Sequence, residues 1–271
     1  MMTMRARVLA GAFLGILVVI AFPLLWVVVT SVRSPEEIYS PTFRWPQQLN
    51  LDSYQLVMAT GFMRYVVNSL IVVGTSTALC IVVAFPAAYC FSRRRFRGRQ
   101  LLLIAVLATQ LLPYITLITP LYVIFARLGL VNNLLGLVVI YTAITLPFSI
   151  YVLWGFLDGV PRELDEAAAV DGCTTFGVMS RVIFPASMPG IAAIGVYAFF
   201  QMWHEYLIAL TMTTKDDVKT VTVGLAELFG EQSAQWEVVM SAAVIGTLPA
   251  LILFFMFQRR LVESFTAGVV R

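Results

Sequence analysis

Charged residues are scarce in this sequence. Asp, Glu, Lys and Arg make up 12% of the 271 residues, about half of the ~25% that is usual in soluble domains. Apolar residues are correspondingly abundant, at 60%. A chain of this length cannot bury so much apolar surface in one core, so the composition excludes an ordinary water-soluble protein and requires lipid as the solvent.

Residues that usually bind metals or take part in catalysis are equally scarce. The chain has one histidine, His204, and three cysteines, Cys80, Cys90 and Cys173, whose spacing matches no metal or redox motif. No Gly-Lys pair occurs, which excludes a phosphate-binding loop for ATP. The apolar segments carry no acidic pair suited to acid–base chemistry. We therefore expect no catalytic residue, no metal site and no cofactor bound by this chain itself.

Six segments are long and apolar enough to cross a bilayer, which takes about 20 residues. They are residues 8–32, 65–91, 101–125, 134–156, 190–212 and 238–257. The first is too long for the apolar part of a signal peptide, and no small-residue cleavage site follows it, so we interpret it as a membrane anchor. The sequence thus predicts an all-α integral membrane protein with six transmembrane helices, forming one domain over residues 1–271.

Basic residues indicate how these spans are oriented. Twelve of the 18 Lys and Arg residues fall on one side, namely Arg5, Arg7, Arg93, Arg94, Arg95, Arg97, Arg99, Arg162, Arg181, Arg259, Arg260 and Arg271. Under the positive-inside rule that side is cytoplasmic, together with both chain ends. The run RRRFRGR at residues 93–99 also fits nucleic-acid or lipid binding, but its place in a short loop between two spans favours a topological role.

Proline interrupts five of the six spans, at Pro23, Pro86, Pro113, Pro120, Pro147 and Pro249. Each proline removes a backbone donor and bends a helix. Such bends are consistent with curved helices around a cavity and equally with a merely bent bundle. On the side opposite the arginines, residues 33–64 form a proline-stiffened cap and residues 213–237 a second loop. Both are suited to contact with a partner outside the membrane.

Polar side chains within the spans are few, and they cluster in the fifth. Gln110 lies in the third span, whereas Gln201, His204 and Glu205 lie within FFQMWHEYLIAL. An ionisable residue at membrane depth costs about 2.5–3.5 kcal/mol to insert and usually faces the interior. We therefore predict a polar-solute path along Gln201, Trp203, His204 and Glu205, with Trp203 and Tyr206 offering flat faces to a sugar ring. The alternative is anchoring at the outer membrane interface.

A polar passage at about residues 157–189 separates the fourth and fifth spans. Pro161 suits the first turn of a helix, and Glu163 and Glu166 follow near its start, where the dipole favours acids. Gly172 suits the left-handed residue that ends a helix. We predict two short helices around a bend at Gly172, the second capped by Thr174 or Thr175 and stopped by the prolines at positions 185 and 189.

The small and apolar side chains of this passage predict its faces. Ala167 and Ala168 give the first helix a close-packing face, and Phe176 and Met179, three residues apart, give the second an apolar face. Because the chain has no ATP-binding loop, energy for any transport would have to come from a partner protein. A pair of short helices on the cytoplasmic side is suited to contact such a partner.

The sequence EAAAVDGCTTFGVMSRVIFP at residues 166–185 resembles the EAA loop of permease subunits of binding-protein-dependent ABC importers. The passage MWHEY at 202–206 and the ending FQRRLVESFTAGVV at 257–270 narrow the resemblance to the carbohydrate class and its MalG-like subunits. The resemblance covers nearly the whole chain. Cys173, Val182, Phe184 and His204 differ from the residues that are commonest at those positions in the family.

This resemblance implies a MalG-like type I ABC importer permease fold with cytoplasmic EAA coupling helices, in a bacterial inner membrane. In such a transporter a second, MalF-like permease completes the pore. Two copies of an ABC ATPase bind ATP and Mg²⁺, and an extracytoplasmic substrate-binding protein delivers the solute. Carried over to this chain, coupling to the ATPase falls on Glu166, Ala167, Ala168, Asp171, Gly172, Phe176 and Pro185.

The resemblance also implies a transport subunit without an ATPase site, for a sugar or sugar-like solute. The family's solutes include disaccharides, oligosaccharides, amino sugars, polyols and glycerol phosphates. A stand-alone channel or proton-coupled carrier with His204 and Glu205 as a relay is the main alternative, and it predicts uptake without ATP. A membrane-embedded transferase would need a polar catalytic loop that the sequence lacks. We expect the chain to contact the lipid bilayer, the second permease, the ATPase and the substrate-binding protein, but no nucleic acid.

Overall fold

The computed structural model describes residues 4–42, 45–46, 48–230 and 235–269, with the backbone alone for residues 4–11 and 259–269. Several basic side chains that the orientation argument uses lie outside this description, namely Arg5, Arg7, Arg259, Arg260 and Arg271. The chain divides into two compact units. The first joins Met1–Val66 to Val223–Leu248, and the second joins Val67–Thr222 to Pro249–Arg271. That the whole chain acts as one domain stays a prediction.

The described residues are predominantly helical, in agreement with the predicted all-α class. The α-helices are α1 (Met4–Ser31), α2 (Pro35–Ile38), α3 (Asp52–Ala59), α4 (Phe62–Arg93), α5 (Arg99–Ala108), α6 (Tyr114–Arg127), α7 (Leu134–Asp158), α8 (Glu163–Val170), α9 (Thr175–Gly177), α10 (Phe184–Ala186), α11 (Met188–Trp203), α12 (Leu207–Met212), α13 (Val221–Gly230) and α14 (Trp236–Val269). Short 3₁₀ turns cover Thr109–Leu111 and Asp216–Val218, and a π-helical turn covers Val178–Ile183.

Among the described residues, four helical segments are individually long and apolar enough to cross a membrane, namely Ala12–Ser31, Phe62–Arg93, Leu134–Asp158 and Trp236–Gln258. They match the first, second, fourth and sixth predicted spans. The most apolar stretch of Ala12–Ser31 has a mean hydropathy of 2.9 and no buried residue, so its surface requires hydrocarbon around it. Two bent pairs of helices, Arg99–Leu111 with Tyr114–Arg127 and Thr175–Ala186 with Met188–Trp203, raise the total to as many as six if each pair is counted as one span.

The third predicted span, residues 101–125, contains a sharp break. Its halves, Arg99–Leu111 and Tyr114–Arg127, meet at 93°. Pro113 lacks the N–H that a continuing helix needs, and the residue before a proline avoids helical geometry. Leu112 accordingly has an extended ψ of 123°. The bend that the prolines of this segment predicted is therefore present. It reaches a right angle because the backbone at Leu112, next to Pro113, is extended rather than helical.

The fifth predicted span, residues 190–212, is not one helix. α11 ends at Trp203 and α12 begins at Leu207. A continuous helix over this range is therefore a wrong prediction. The physical reason lies in Glu205, whose carboxylate accepts the N–H groups of Ile208 at 2.8 Å and Ala209 at 3.0 Å. This side-chain cap starts a new helix at a point where no proline marks the sequence.

In the first unit, side chains organise the segment that follows α1. Ser34 and Glu37 form a capping box at the start of α2. The Ser31 hydroxyl forms a hydrogen bond of 2.8 Å with the Tyr54 hydroxyl of α3. Ser241 of α14 donates to the Ser31 carbonyl at 3.1 Å. The predicted proline-stiffened cap over residues 33–64 is thus partly helical and bonded to α1.

In the second unit, α4, α7 and α11 share a buried apolar cluster. It includes Ala84 and Ala88 of α4, Leu153 of α7 and Ile194 of α11. α7 and α11 approach each other closely at Gly190, where an added Cβ would lie 2.6 Å from the Phe156 ring. Glycine is therefore required for these two helices to pack at their present distance.

We expect Gly190→Ala to destabilise the protein by about 1–3 kcal/mol, because the methyl group would overpack against Phe156. Gly155→Ala is the matched control, since a Cβ at Gly155 meets nothing within 4 Å and alanine favours the helix. Thermal unfolding of the detergent-solubilised chain, followed by tryptophan fluorescence, measures both. Equal transition temperatures for the two variants would contradict this close approach.

Candidate functional site

The first helix of the polar passage forms as its sequence predicts. α8 carries three acidic residues in its first turn, where the helix dipole favours negative charge, namely Glu163, Asp165 and Glu166. At its end Gly172 has a φ of 83°. The N–H of Gly172 bonds to the Ala169 carbonyl at 3.1 Å, and that of Cys173 to the Ala168 carbonyl at 3.0 Å. This pair of bonds is a Schellman motif, which places a left-handed residue at Gly172, so the predicted bend is confirmed.

The second helical part of the passage is longer and less regular than predicted. Thr174, one of the two predicted caps, accepts the N–H of Gly177 at 3.2 Å. The path then runs through α9, the π-helical turn and α10, and breaks at Ser187. Pro185 lies in α10, two residues before that break, and Pro189 lies in the first turn of α11. The second helical part therefore ends between the two prolines that were predicted to stop it.

The passage buries one face and exposes another. Ala168 and Ile183 are buried in the apolar cluster, together with Leu157 of α7. In contrast, the side chains of Val170 and Phe176 are 88% and 72% exposed. These two apolar residues lie on either side of the Gly172 bend and have almost no cover from the chain itself.

The predicted faces are correct only in part. Ala168 is buried but Ala167 is exposed, because successive helical residues point about 100° apart. Met179 packs against the apolar cluster whereas Phe176 points outward, so the two do not share a face. Of the residues predicted to contact an ATPase, Ala168 alone is buried, and the exposed ones are Glu166, Ala167, Asp171, Gly172, Phe176 and Pro185.

An ion pair that sequence reasoning did not predict connects α8 to α4. Arg93 Nε lies 3.0 Å from Asp165 Oδ2, in contact but without the alignment of a hydrogen bond. The terminal guanidinium nitrogens of Arg93 donate to the carbonyls of Leu157 at 3.1 Å and Val160 at 3.0 Å. Tyr89 donates its hydroxyl proton to Asp165 Oδ1 at 2.7 Å. Both side chains of the pair are largely buried.

Two further bonds extend this connection. Ser92 donates to Asp158 Oδ1 at 2.8 Å, and Arg162 donates to the Ser92 carbonyl at 3.1 Å. The sequence analysis used the arginines only as signals of orientation. The one available signal was spacing, since Tyr89 and Arg93 are four residues apart and lie on one face of α4. Nothing in the sequence indicated that Asp165 would meet them.

Three of the four residues predicted for the solute path line one cavity of about 360 Å³. Gln201, His204 and Glu205 contribute to it, together with aromatic residues of α6, α7 and α11, namely Tyr114, Tyr141, Tyr197 and Phe200. The structure does not bring Trp203 into this lining. Trp203 is buried and stacks on Phe199, with ring centroids 5.3 Å apart. The tyrosines supply the flat faces that Trp203 was expected to supply.

Glu205 differs from its neighbours in this cavity. Its carboxylate accepts a hydrogen bond from the Tyr141 hydroxyl at 2.9 Å, in addition to the two backbone N–H groups that start α12. Its backbone carbonyl accepts from the Thr222 hydroxyl at 2.8 Å. Glu205 therefore stabilises the break in the fifth span, while the exposed side chains of Gln201 and His204 are the polar groups best placed to meet a solute.

The described residues of the second unit offer hydrogen-bonding groups rather than a cluster of metal ligands. In the part of the chain that the structure describes, no group of three or more His, Cys, Asp or Glu residues could hold a metal ion. The thiols of Cys80, Cys90 and Cys173 are free, and that of Cys80 donates to the Ser149 hydroxyl at 3.3 Å. Besides the hydrogen-bonded carboxylate of Glu205, the polar groups of the cavity lining are an amide, an imidazole and hydroxyls, all of which can hydrogen-bond to a hydroxylated molecule.

The spans, the glycine-bent passage and the cavity define a membrane transport subunit, and comparison with known proteins identifies the family. Residues 80–266 match the family of binding-protein-dependent transport system inner membrane components. The chain belongs to this family, as the resemblance of residues 166–185 implied.

The alignments with two named relatives cover most of this chain and most of each relative. The sulfoquinovosyl glycerol transport system permease protein SmoH of Agrobacterium fabrum is 34% identical over 91% of this chain and 87% of its own length. The trehalose/maltose transport system permease protein MalG of Thermococcus litoralis is 32% identical over 98% of this chain and 97% of its own. These relatives are transport components rather than enzymes.

A solved structure shows the same fold. A chain of a bacterial ABC transporter involved in the import of the acidic polysaccharide alginate superposes with a TM-score of 0.84. The alignment covers 96% of this chain and 99% of that chain, at 18% sequence identity. The predicted ABC importer permease fold is therefore confirmed.

We expect Asp165→Asn to loosen α8 without unfolding the spans. Removing one partner of a largely buried ion pair costs about 3–5 kcal/mol, and here the loss falls on the contact between α8 and α4. Hydrogen–deuterium exchange should rise selectively in residues 162–172. Glu163→Gln is the matched control, because Glu163 is an exposed acid in the same helical turn. Equal exchange in both variants would show that the ion pair does not hold α8.

Proposed function

We propose that this chain forms half of the translocation pore of an ATP-driven importer, and that residues 157–189 dock on a cytoplasmic ATPase. The observation that carries the proposal is the exposure of Val170 and Phe176 on either side of the Gly172 bend. Exposed apolar side chains on an otherwise polar segment mark a surface for a partner protein. Glu166 and Asp171 supply a polar rim around this apolar pair, as interfaces commonly have.

The ion pair between Arg93 and Asp165 supports a coupling role for this segment. A loop that transmits force must move as one body with the spans behind it. α8 is bonded to the end of α4, and its Ala168 is buried against α7. A displacement of the Val170–Phe176 surface by a partner would therefore be passed to both helices.

Orientation and partners follow from this assignment. The arginine-rich side, with the coupling segment and both chain ends, is cytoplasmic. ATP and Mg²⁺ bind to two copies of the partner ATPase, and this chain itself has neither an ATPase site nor a cofactor. A second, MalF-like permease completes the pore. A substrate-binding protein delivers solute from the other side. In support, an alginate ABC transporter that this chain resembles in fold forms a complex with a periplasmic protein bound to an alginate pentasaccharide.

The solute is a sugar or a sugar-like molecule. The names of the relatives refer to sulfoquinovosyl glycerol and to trehalose and maltose. The cavity beside the fifth span supports the same class, because aromatic rings such as Tyr114 and Tyr197 offer apolar faces to a pyranose ring. Gln201 and His204 offer donors and acceptors to its hydroxyl groups.

The proton-coupled carrier is less well supported. A relay requires a carboxylate that releases and takes up a proton during transport. Both oxygens of Glu205 accept hydrogen bonds that hold the start of α12 and the Tyr141 hydroxyl. Protonation of Glu205 would weaken a structural cap, which makes it poorly suited to a relay.

We expect Gly172→Val to uncouple ATP hydrolysis from uptake. A left-handed conformation costs a β-branched residue about 1–2 kcal/mol, and a Cβ here meets no atom within 4 Å, so the effect is conformational rather than steric. Gly172→Asn is the control, because asparagine adopts this conformation readily. In the importer reconstituted with its partner permease, ATPase and binding protein, uptake should fall roughly fivefold or more for valine alone.

Two outcomes would contradict the proposal. Equal transport by the valine and asparagine variants would separate the bend from coupling. Robust ATP hydrolysis by this chain purified alone would contradict its assignment as a subunit without an ATPase site.

Alanine at Gln201 or His204 should lower uptake while the complex still assembles. Glu205→Ala should instead lower the yield of assembled complex, because three buried donors lose their acceptor at about 1–3 kcal/mol each. Glu205→Gln keeps one carbonyl acceptor and should restore part of that yield. Vesicle uptake and size-exclusion chromatography separate the two effects. Normal uptake by all three alanine variants would assign the solute path to the partner permease.

A further inference from the structure

A second cleft, of about 830 Å³, lies in the loop between α4 and α5 and is not explained by transport or coupling. Its lining includes Arg95, Arg97 and Arg99, and Trp154 from α7. The lining contains no acidic residue. Three arginines therefore line one concave surface whose lining offers no compensating carboxylate.

The arginines of this loop have different roles. Arg93 is largely buried in its ion pair with Asp165. Arg95 and Arg97 are exposed, and Arg99 is half-buried, with its guanidinium carbon 5.7 Å from the centre of the Trp154 ring. The loop contains a further exposed arginine, Arg94, which does not line the cleft. Orientation in the membrane explains the number of charges but not their convergence beside Trp154.

The other wall of the cleft is apolar. Leu101 and Ile104, in the first turns of α5, are 72% and 56% exposed and contribute to the same lining. They continue the apolar surface of a segment predicted to cross the membrane. A cleft with guanidinium groups at one side and exposed aliphatic side chains at the other matches a molecule with an anionic head and a hydrocarbon tail.

Two backbone and side-chain features favour an anion at the polar end. α5 begins after Gly98, which has a φ of 83° and provides no side-chain cap, so the positive end of the helix dipole faces the loop. The indole Nε1 of Trp154 is buried and has no hydrogen-bond partner among the described residues. Each feature is weak alone, and both lie at the cleft that the three arginines line.

We propose that this cleft binds the headgroup of an anionic phospholipid, with the phosphate between Arg95, Arg97 and Arg99 and the acyl chains along Leu101 and Ile104. Guanidinium groups bind phosphate oxygens through paired N–H donors. Basic clefts next to a membrane-spanning helix attract anionic lipids, by roughly fivefold in affinity for each arginine. A free phosphate would use the arginines but gain nothing from the aliphatic wall, and a nucleic acid would likewise leave that wall uncovered.

The test is native mass spectrometry of the full chain in mild detergent, titrated with phosphatidylglycerol or with phosphatidylcholine. The expected result is preferential binding of phosphatidylglycerol, which the combined variant Arg95→Gln/Arg97→Gln/Arg99→Gln weakens roughly a hundredfold. Arg94→Gln is the matched control and should change the affinity less than any single substitution in the cleft. The single variants Arg97→Gln and Arg99→Gln, which leave four loop arginines to orient the chain, should each weaken binding roughly fivefold.

Three results would overturn the proposal. The first is equal binding of phosphatidylglycerol by the combined variant and by Arg94→Gln. The second is displacement of the bound lipid by inorganic phosphate at comparable concentration, which would indicate a site for free phosphate. The third is nucleic acid that co-purifies with the wild-type chain and is lost with the cleft arginines. None of these results depends on transport, so the outcome is independent of the proposed function.

Discussion

The ion pair between Arg93 and Asp165 holds the first turn of α8 against the end of α4. α8 has eight residues, too few to be stable as a helix by itself, and it buries little besides Ala168. The ion pair compensates for this shortage of packing. It places a charge from the end of α4 against the first turn of α8, where the helix dipole also favours the acid. Beyond α8 the chain is held by packing instead, since Val178 and Ile183 are buried in the apolar cluster.

Few polar side chains are available where helices break within the membrane-spanning segments. A helix that stops inside a membrane leaves backbone groups that hydrocarbon cannot satisfy, so irregular backbone must be bonded within the protein. The structure meets this need with a few side chains. Gln110, next to the break in the third span, donates its amide to the Ile144 carbonyl at 2.8 Å. Glu205 accepts two backbone N–H groups at the break in the fifth. Two of the polar side chains within the spans, those of Gln110 and Glu205, thus bond to the backbone next to a break.

This requirement explains which parts of the candidate site were predictable. Gln201, His204 and Glu205 stood out because polar residues are costly at membrane depth, and the structure does bring them to one cavity. The sequence did not indicate that these three residues have different roles. The task of Glu205 depends on Tyr141, which is 64 residues away in the chain, and no local pattern connects the two. Trp203 has the right chemistry for a sugar, but packing on Phe199 removes it from the cavity lining.

Composition and local pattern determined the class of this protein, because the shortage of charge, the long apolar segments and the spacing around Gly172 are properties of neighbouring residues. The all-α membrane fold, most of the spans and the glycine bend follow from them. Tertiary structure alone decided the partner of Arg93, the outward direction of Phe176 and the end of α11 at Trp203. Each of these depends on contacts between residues far apart in the chain. A helical period or a cap motif describes one segment and carries no information about what that segment meets.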